Sequence, residues 1–220
     1  MLFYLLTYPI RAWHRKGYDI QSPWAYLLVR DVFFEPHPYY AYGELRQLRK
    51  SFSTPWELST AADELLFRMA NHFAPRSIVE IGLPQSACYM ARPRPDIPCT
   101  AILPSDNSAA LLRRLGINTA TGCALQQLQN AIPDGPAAAL VHIALPDSKE
   151  SAPTVEGIYK WIAAHADHET IVVIEHIDHT NRRLWQSIVS NDSLATVTFD
   201  LGRRGIVTFD PKRVKQNYLL

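Results

Sequence analysis

The segment from Glu175 to His179 combines the side chains best suited to chemistry, because two acids and two histidines follow an apolar run directly. A histidine changes its charge near neutral pH, so His176 or His179 could act as a general base toward a hydroxyl group. Glu175 together with His179 could instead hold a metal ion, although no third ligand has a recognisable spacing. In a structural interpretation, Asp178 and Thr180 cap the next helix and the histidines are solvated. The sequence leaves these three hypotheses open.

A second segment, residues 77–86, has the pattern of a strand, a turn and the start of a helix. Its β-branched run ends in Glu80 and Gly82. In open α/β sheets a ligand binds beyond the carboxyl ends of the strands, where small residues let the backbone approach it closely. Pro84 removes one backbone donor, and Ser86 stands where a second close-approach glycine is expected. The pattern predicts a site for a nucleotide-like ligand, built on an incomplete loop.

His142 and the three cysteines favour structural roles. His142 lies inside an apolar run, which is typical of a hydrogen-bonded core histidine. Cys88, Cys99 and Cys123 are widely spaced and form no CxxC pair, so neither a disulfide framework nor a thiolate zinc site is predicted. A reducing compartment fits this cysteine usage. We therefore predict a cytoplasmic protein without a bound metal.

Strands and helices alternate from residue 77 onward, which is the pattern of an α/β, doubly wound and mainly parallel sheet. The predicted strands are 77–81, 99–103, 117–121, 138–144, 170–175, 194–200 and 205–210, with helices near 85–91, 106–115, 123–131, 153–166 and 180–190. The fourth and fifth strands are apolar throughout, as expected of central strands buried on both faces. The last two strands are joined by a connection too short for a crossover helix, so they must form an antiparallel hairpin.

The N-terminal part of the chain is predicted to be helical and to cover one end of the sheet. Segments with helical spacing start at Pro23, near Gly43 and at Thr60. Thr60 with an acid three residues later resembles a capping box. We therefore divide the chain into a helical appendage, residues 1–75, and an α/β domain, residues 76–220.

Composition restricts the class of partner. The chain has 220 residues, and its 47% hydrophobic content can fill a sizeable core. With 22 Lys and Arg against 21 Asp and Glu, it lacks the charge for a broad nucleic-acid surface, so we expect a small-molecule substrate or a protein partner. The apolar residues 1–6 are followed by basic residues, whereas in a signal peptide the basic residues come first. They are also too few to form an integral membrane segment. They are predicted to form a packed amphipathic helix, with an anchor in the membrane interface as the alternative.

In their order along the chain, these features resemble the class I S-adenosylmethionine-dependent methyltransferases. The chain is similar to a bacterial group with an HSPF-type motif, matched here by Gln21-Ser22-Pro23-Trp24. The other matches, spread over nearly the whole chain, are Tyr39-Tyr40-Ala41-Tyr42, Leu65-Leu66-Phe67-Arg68, Glu80-Ile81-Gly82 and the closing segment from Phe199 to Val207. The resemblance implies a seven-stranded Rossmann-like methyltransferase sheet, with its strand order carried over from the family, and S-adenosylmethionine as cofactor.

The resemblance also implies which residues meet the ligands. Glu80, Gly82, Gln85 and Ser86 would bind S-adenosylmethionine. Glu175 and His176 would face the methyl acceptor. The family loop is E-x-G-x-x-x-G, and here Ser86 replaces its last glycine.

Two other positions depart from the family pattern. Leu103 stands where an acid normally takes the two ribose hydroxyls, and Asp106, three residues later, could substitute if the loop curls back. Ala144 stands where relatives often place an aspartate. The sequence thus supports two hypotheses: a small-molecule methyltransferase, or a binding or assembly protein that kept the sheet and lost the cofactor.

Overall fold

The computed structural model describes residues 2–191 and 195–220, with side chains for 7–190 and 195–220. The helices are α1 (Leu2–Arg15), α2 (Pro23–Leu28), α3 (Tyr42–Arg49), α4 (Thr60–Phe73), α5 (Pro84–Ala91), α6 (Ala109–Arg114), α7 (Ala124–Ala131), α8 (Ala152–His165) and α9 (Arg182–Asn191). The strands are β1 (Ser77–Ile81), β2 (Cys99–Leu103), β3 (Asn118–Thr121), β4 (Ala139–Ile143), β5 (Ile171–Glu175), β6 (Val197–Asp200), β7 (Arg204–Thr208) and β8 (Gln216–Leu219). None of the helices in these ranges is long and apolar enough to cross a membrane.

The strands form one sheet in the order β3-β2-β1-β4-β5-β7-β6-β8. The first five strands run parallel, and β7 is antiparallel to both β5 and β6. The predicted α/β fold with a mainly parallel sheet and a closing hairpin is therefore confirmed. Because parallel strands end at the same edge, the loops after β1, β2, β4 and β5 meet at what we call the carboxyl edge of the sheet.

The eighth strand, β8, was not predicted, so the expected number of seven strands is wrong by one. It runs parallel to β6, where Tyr218 stacks on Phe199 with ring centroids 5.4 Å apart. The side chain of Arg11 in α1 donates hydrogen bonds to the carbonyl oxygens of Asp200 and Leu220 at 2.9 and 3.0 Å. The hydrogen bonds of Arg11 join residues about two hundred positions apart. A four-residue strand has too short a pattern to be predicted from the sequence.

Helices cover both faces of the sheet. On one face, Phe67 of α4 joins Ile78 and Phe199 in an apolar cluster to which α2, α3 and α5 also contribute. On the other face, α7, α8 and α9 pack around Val79 and Val141. Side chains alternate between the faces because successive residues of a strand point in opposite directions. The helical N-terminal part thus covers a face of the sheet, and its Trp56 also reaches the carboxyl edge, where it lies beside His176. The division at residue 75 stays a prediction.

Helix α4 begins after Ser59 and not with the predicted cap at Thr60. The Ser59 hydroxyl accepts a hydrogen bond from the backbone N–H of Ala62 at 3.2 Å. Asp63, the second member of the predicted capping box, is buried against Arg49 and Ser86. The capping box is therefore wrong, because tertiary partners take the acid that a local motif would have used.

Candidate active site

Gly82, at the end of β1, is required by the packing of two neighbouring loops. Its φ is +118°, and a Cβ placed on it would overlap the carbonyl oxygen of Ala144. The Gly82 N–H donates to the carbonyl oxygen of Ile102, 2.9 Å away in β2. The backbone that this glycine lets approach is therefore that of the loop after β4. A direct contact of Gly82 with a cofactor stays a prediction.

Glu80 lies completely inside the protein, directly below this turn. Its Oε1 accepts a hydrogen bond from the backbone N–H of Leu83 at 2.9 Å, which fixes the turn that leads into α5. Its Oε2 lies 2.5 Å from Nδ1 of His142. Burial raises the pKa of Glu80, while His142 partly opposes this shift. The acid that the sequence assigned to the cofactor therefore has two protein partners.

His142 connects Glu80 to Glu175 across the sheet, which confirms the prediction of a hydrogen-bonded core histidine. It is the register partner of Glu80, and its Nε2 lies 3.0 Å from Oε1 of Glu175. Burial alone would lower the pKa of His142. The two carboxylates outweigh this effect and raise the pKa to about 9. The imidazole is therefore protonated at neutral pH and holds two buried carboxylates together.

Arg204 completes a row of alternating charges. It is the register partner of Glu175, and its Nε donates to Oε1 of Glu175 at 2.5 Å. Its Nη1 donates to the carbonyl oxygen of Ala62 at the start of α4, at 2.7 Å. Burial would raise the pKa of Glu175, but Arg204 and His142 together lower it to about 2. We call Glu80, His142, Glu175 and Arg204 the buried charge row.

Arg204 was not predicted as a site residue, because it lies beside the turn of the predicted hairpin. Pairing of β5 with β7 places Arg204 directly opposite Glu175, and the side chain is only 5% exposed. The signal in the sequence was an arginine directly before the predicted strand, which β7 extends by one residue to include it. Only the antiparallel register shows which acid it meets.

Residues 82–86, which form the first loop, are all buried. The Ser86 hydroxyl donates to Oδ1 of Asp63 at 2.7 Å, which links α5 to α4. Burial raises the pKa of Asp63 to about 6, although Ser86 and Arg49 both favour its charged form. Gln85 is 1% exposed, and neither atom of its side-chain amide has a hydrogen-bond partner among the described residues.

Asp106 lies on a single turn of 3-10 helix that follows β2. Its side chain is exposed, whereas Leu103 at the end of the strand is buried. The two positions that could serve ribose hydroxyls therefore differ in environment. Of these two positions, Asp106 is the one with a carboxylate, and its role as a ligand for ribose stays a prediction.

His176 is the residue after β5 with the most unusual surroundings. Its φ is +60°, a backbone conformation that non-glycine residues rarely adopt. Its Nδ1 lies 3.3 Å from Nη2 of Arg203 and 3.8 Å from the carboxylate of Asp147, and its ring centroid is 5.2 Å from that of Trp56. Burial lowers the pKa of His176, so the ring is neutral at pH 7. Because a guanidinium can only donate, Nδ1 carries the lone pair.

His179 and its neighbours hold the surrounding loops together. The exposed His179 has its Nδ1 3.3 Å from Oδ1 of Asp147, and the Thr180 hydroxyl donates to the same carboxylate. Asp178 lies 3.8 Å from Nε of Arg203. Asp178 and Thr180 therefore contact neighbouring loops, in place of the predicted caps of α9.

The metal hypothesis finds no ligand set in the part of the chain that the structure describes, where no three His, Cys, Asp or Glu side chains lie close enough to hold an ion. Glu175 is bonded to His142 and Arg204, and His179 to Asp147. The contacts of Trp56 and Arg203 with His176 were not predicted. Neither residue has a local motif that would point to this contact.

Two cavities lie away from the first loop. One, of about 780 Å³, is a mostly apolar groove between α9 and the edge strands, with Trp185, Val189 and Tyr218 in its wall. The other, of about 410 Å³, lies at the opposite end of the strands beside Trp24 and Thr170. Neither is lined by Gly82, Gln85 or Ser86.

Comparison with solved structures identifies the fold. The O-methyltransferase TomG from Streptomyces achromogenes, in complex with SAM, is similar with a TM-score of 0.59 and 19% identity over 79% of this chain and 91% of TomG. A putative O-methyltransferase from Klebsiella pneumoniae has a TM-score of 0.59 and 15% identity, covering 80% of this chain and 92% of its own. The O-methyltransferase from Bacillus cereus, in complex with SAH, has a TM-score of 0.58 and 14% identity over 84% and 96%.

No protein-family description matches the chain, and no curated protein matches it either. At the identities found for the solved structures, the likeness establishes the fold. The chain has the Rossmann-like fold of class I methyltransferases, as the resemblance implied. Its assignment to the group with the HSPF-type motif stays a prediction.

Proposed function

We propose that the protein is an S-adenosylmethionine-dependent methyltransferase that acts on a hydroxyl group of a small molecule. The fold supports this proposal, as do neighbours whose structures contain SAM or SAH. The observation that carries it is His176, a neutral histidine in a strained backbone conformation at the carboxyl edge. Strain of this kind persists only where surrounding structure maintains it, and it concentrates at functional sites.

The polar atoms available to the cofactor lie on the first loop and after β2. The buried amide of Gln85 has no partner among the described residues, so it could satisfy a polar group of the ligand. Asp106 offers the carboxylate for the ribose hydroxyls. Glu80 and Ser86 would act by fixing the shape of the loop, since their side chains bond to His142, Leu83 and Asp63. Bound S-adenosylmethionine supplies an electrophilic methyl group.

In this proposal Nδ1 of His176 accepts the proton of the acceptor hydroxyl. The exposed Arg203 moves away from Nδ1, and the carboxylate of Asp147 stabilises the imidazolium that forms. His179 shares that carboxylate and helps to position it. Glu175 is too weak a base for this role because its pKa is about 2. Glu175 would instead be a positioning residue, because it is bonded to Arg204 and holds that side chain in place.

Calorimetric titration with S-adenosylhomocysteine tests the cofactor half of the proposal. Saturable binding is expected, and ligand at about a hundred times its Kd should stabilise the fold by about 2.7 kcal/mol. No heat and no thermal shift at millimolar ligand would rule out the enzyme. Transfer of a labelled methyl group to a panel of small hydroxyl compounds tests the second half.

A non-catalytic binding or assembly protein is the second candidate, and the burial of Leu103 favours it. An apolar side chain at this point removes the charged hydrogen bonds that an acid would make to the ribose. Each such bond is worth about 1.5–3 kcal/mol, so losing two would weaken binding by roughly a hundredfold or more. This candidate predicts no cofactor binding, together with a protein partner recovered by pull-down. A monomer that recovers no partner would argue against it.

A further inference from the structure

Helix α1 and the turn after it expose a concentration of apolar side chains. Eight large hydrophobic side chains are exposed in the part of the chain with described side chains, and four of them lie between positions 8 and 18. Ile10 and Trp13 are 48% and 50% exposed and are three positions apart, so they share one face of the helix. Tyr18 follows in the turn and is 51% exposed. We call Ile10, Trp13 and Tyr18 the α1 apolar patch.

A neighbouring face of α1, which carries Arg11 and His14, is attached to the sheet. Arg11, 2% exposed, bonds to the backbone and carboxylate of Asp200 and to the carbonyl oxygen of Leu220. Nδ1 of His14 lies 2.8 Å from the carbonyl oxygen of Leu219 in β8. A rotation that buried Ile10 and Trp13 would break these bonds. The outward orientation of the patch is therefore imposed by the fold.

The aromatic rings of the patch are held in place before any partner binds. Trp13 and Tyr18 stack with centroids 4.2 Å apart, and the indole N–H donates to Asp19 at 2.9 Å. Gly17 makes the turn with φ of +86°, where a Cβ would overlap the ring of Tyr26. Because the indole N–H already has a partner, the rings can enter a less polar medium without losing a hydrogen bond.

Charge around the patch favours an anionic partner. The ten residues before Arg11 carry no charged side chain. Arg11 itself is buried and paired with Asp200, so the charges near the patch are those of Arg15 and Lys16 against that of Asp19. Lys16 lies exposed between Trp13 and Tyr18 in sequence. An uncharged run followed by cations and aromatic residues is the arrangement of a helix that lies in a membrane interface.

We propose that α1 and its following turn dock onto a membrane surface with anionic headgroups, with the helix in the plane of the interface. Tryptophan and tyrosine prefer the boundary between headgroups and acyl chains. A second copy of this chain fits the patch less well, because two positively charged surfaces would meet. The proposal is independent of the methyltransferase function.

Sedimentation of the full chain with vesicles tests the proposal. Binding is expected to vesicles that mix phosphatidylcholine with phosphatidylglycerol, and weaker binding to phosphatidylcholine alone. Trp13→Ala should lower the partition coefficient about tenfold or more. Lys16→Glu should weaken binding to the mixed vesicles only, and added salt should do the same.

Tyr40→Ala is the matched control, because Tyr40 is an aromatic residue 81% exposed outside the patch, and its removal should leave binding unchanged. Circular dichroism confirms that each variant is folded; if Trp13→Ala is not, Tyr18→Ala replaces it. The proposal is overturned if the mixed vesicles do not bind the chain, or if the folded patch variants bind as the parent does. Light scattering that shows a dimer which the same substitutions dissociate would also overturn it.

Discussion

Nδ1 of His142 lies 2.5 Å from the carboxylate of Glu80, and both side chains are wholly inside the protein. The two residues are register partners on β4 and β1. Together they join the centre of the sheet to the loop that leads into α5. A second carboxylate, that of Glu175, lies on the other side of the imidazole. Removing one member of such a row leaves the others as uncompensated buried charges.

Stability should therefore fall at alkaline pH because of His142. Its pKa is 6.5 in the unfolded chain and about 9 in the fold, so its contribution is complete below pH 6.5 and is lost as the pH rises through 9. The loss is of the order of 3 kcal/mol. Urea unfolding on both sides of this pH window measures the loss.

His142→Asn should be less stable than the parent by about 3–5 kcal/mol at neutral pH and should lack the alkaline loss. His179→Asn, at an exposed position, should keep it; equal pH profiles for parent and His142→Asn would contradict the prediction.

Gly82→Ala should destabilise the protein by about 3 kcal/mol or more, because the added methyl group meets the carbonyl oxygen of Ala144 and φ is +118°. Gly43→Ala is the matched control. A Cβ at Gly43, inside α3, meets nothing within 4 Å, so this substitution should stabilise the helix by up to about 1 kcal/mol. Denaturant midpoints compare the two. A similar effect of both substitutions would show that the backbone at Gly82 is not tightly packed against that of Ala144.

His176→Asn should lower methyl transfer by about a hundredfold or more if His176 is the proton acceptor. The unmodified enzyme should keep its rate below pH 6.5, since burial lowers the pKa of His176, and should lose it only once the ring becomes protonated. His37→Asn changes a histidine side chain that is 86% exposed and should leave the rate unchanged. A pH profile that is the same in His176→Asn and the parent would assign the base to another residue.

Asp106→Asn should weaken binding of S-adenosylhomocysteine by roughly ten- to a hundredfold, the worth of one charged hydrogen bond. Calorimetry measures the Kd directly. Asp134→Asn, on the exposed connection between α7 and β4, is the matched control and should bind as the parent does. Equal affinity in the Asp106 variant would mean that the ribose hydroxyls find other partners.

Local patterns predicted the sheet well because its strands are short apolar runs separated by helices. β1 and β2 have the predicted bounds, β4 is one residue shorter than predicted at each end, and β5 is one residue shorter at its start. β8 escaped prediction because it is only four residues long and because α1, which helps to hold it, is about two hundred positions away in sequence. The predicted capping box of α4 is wrong because Asp63 binds Ser86, a residue of another helix, and not the backbone of its own helix.

The amino-acid sequence alone determined the strand and helix alternation, the closing hairpin, the acids near the ends of β1 and β5 and the histidines after β5. Tertiary structure alone decided what those side chains do. Strand register places His142 between Glu80 and Glu175 and places Arg204 opposite Glu175. Cationic side chains therefore balance the negative charges of these acids inside the protein. His176 is left as the neutral group beside Asp147. The physical reason is that periodicity reports burial, whereas the partner of a buried charge depends on which strands lie side by side.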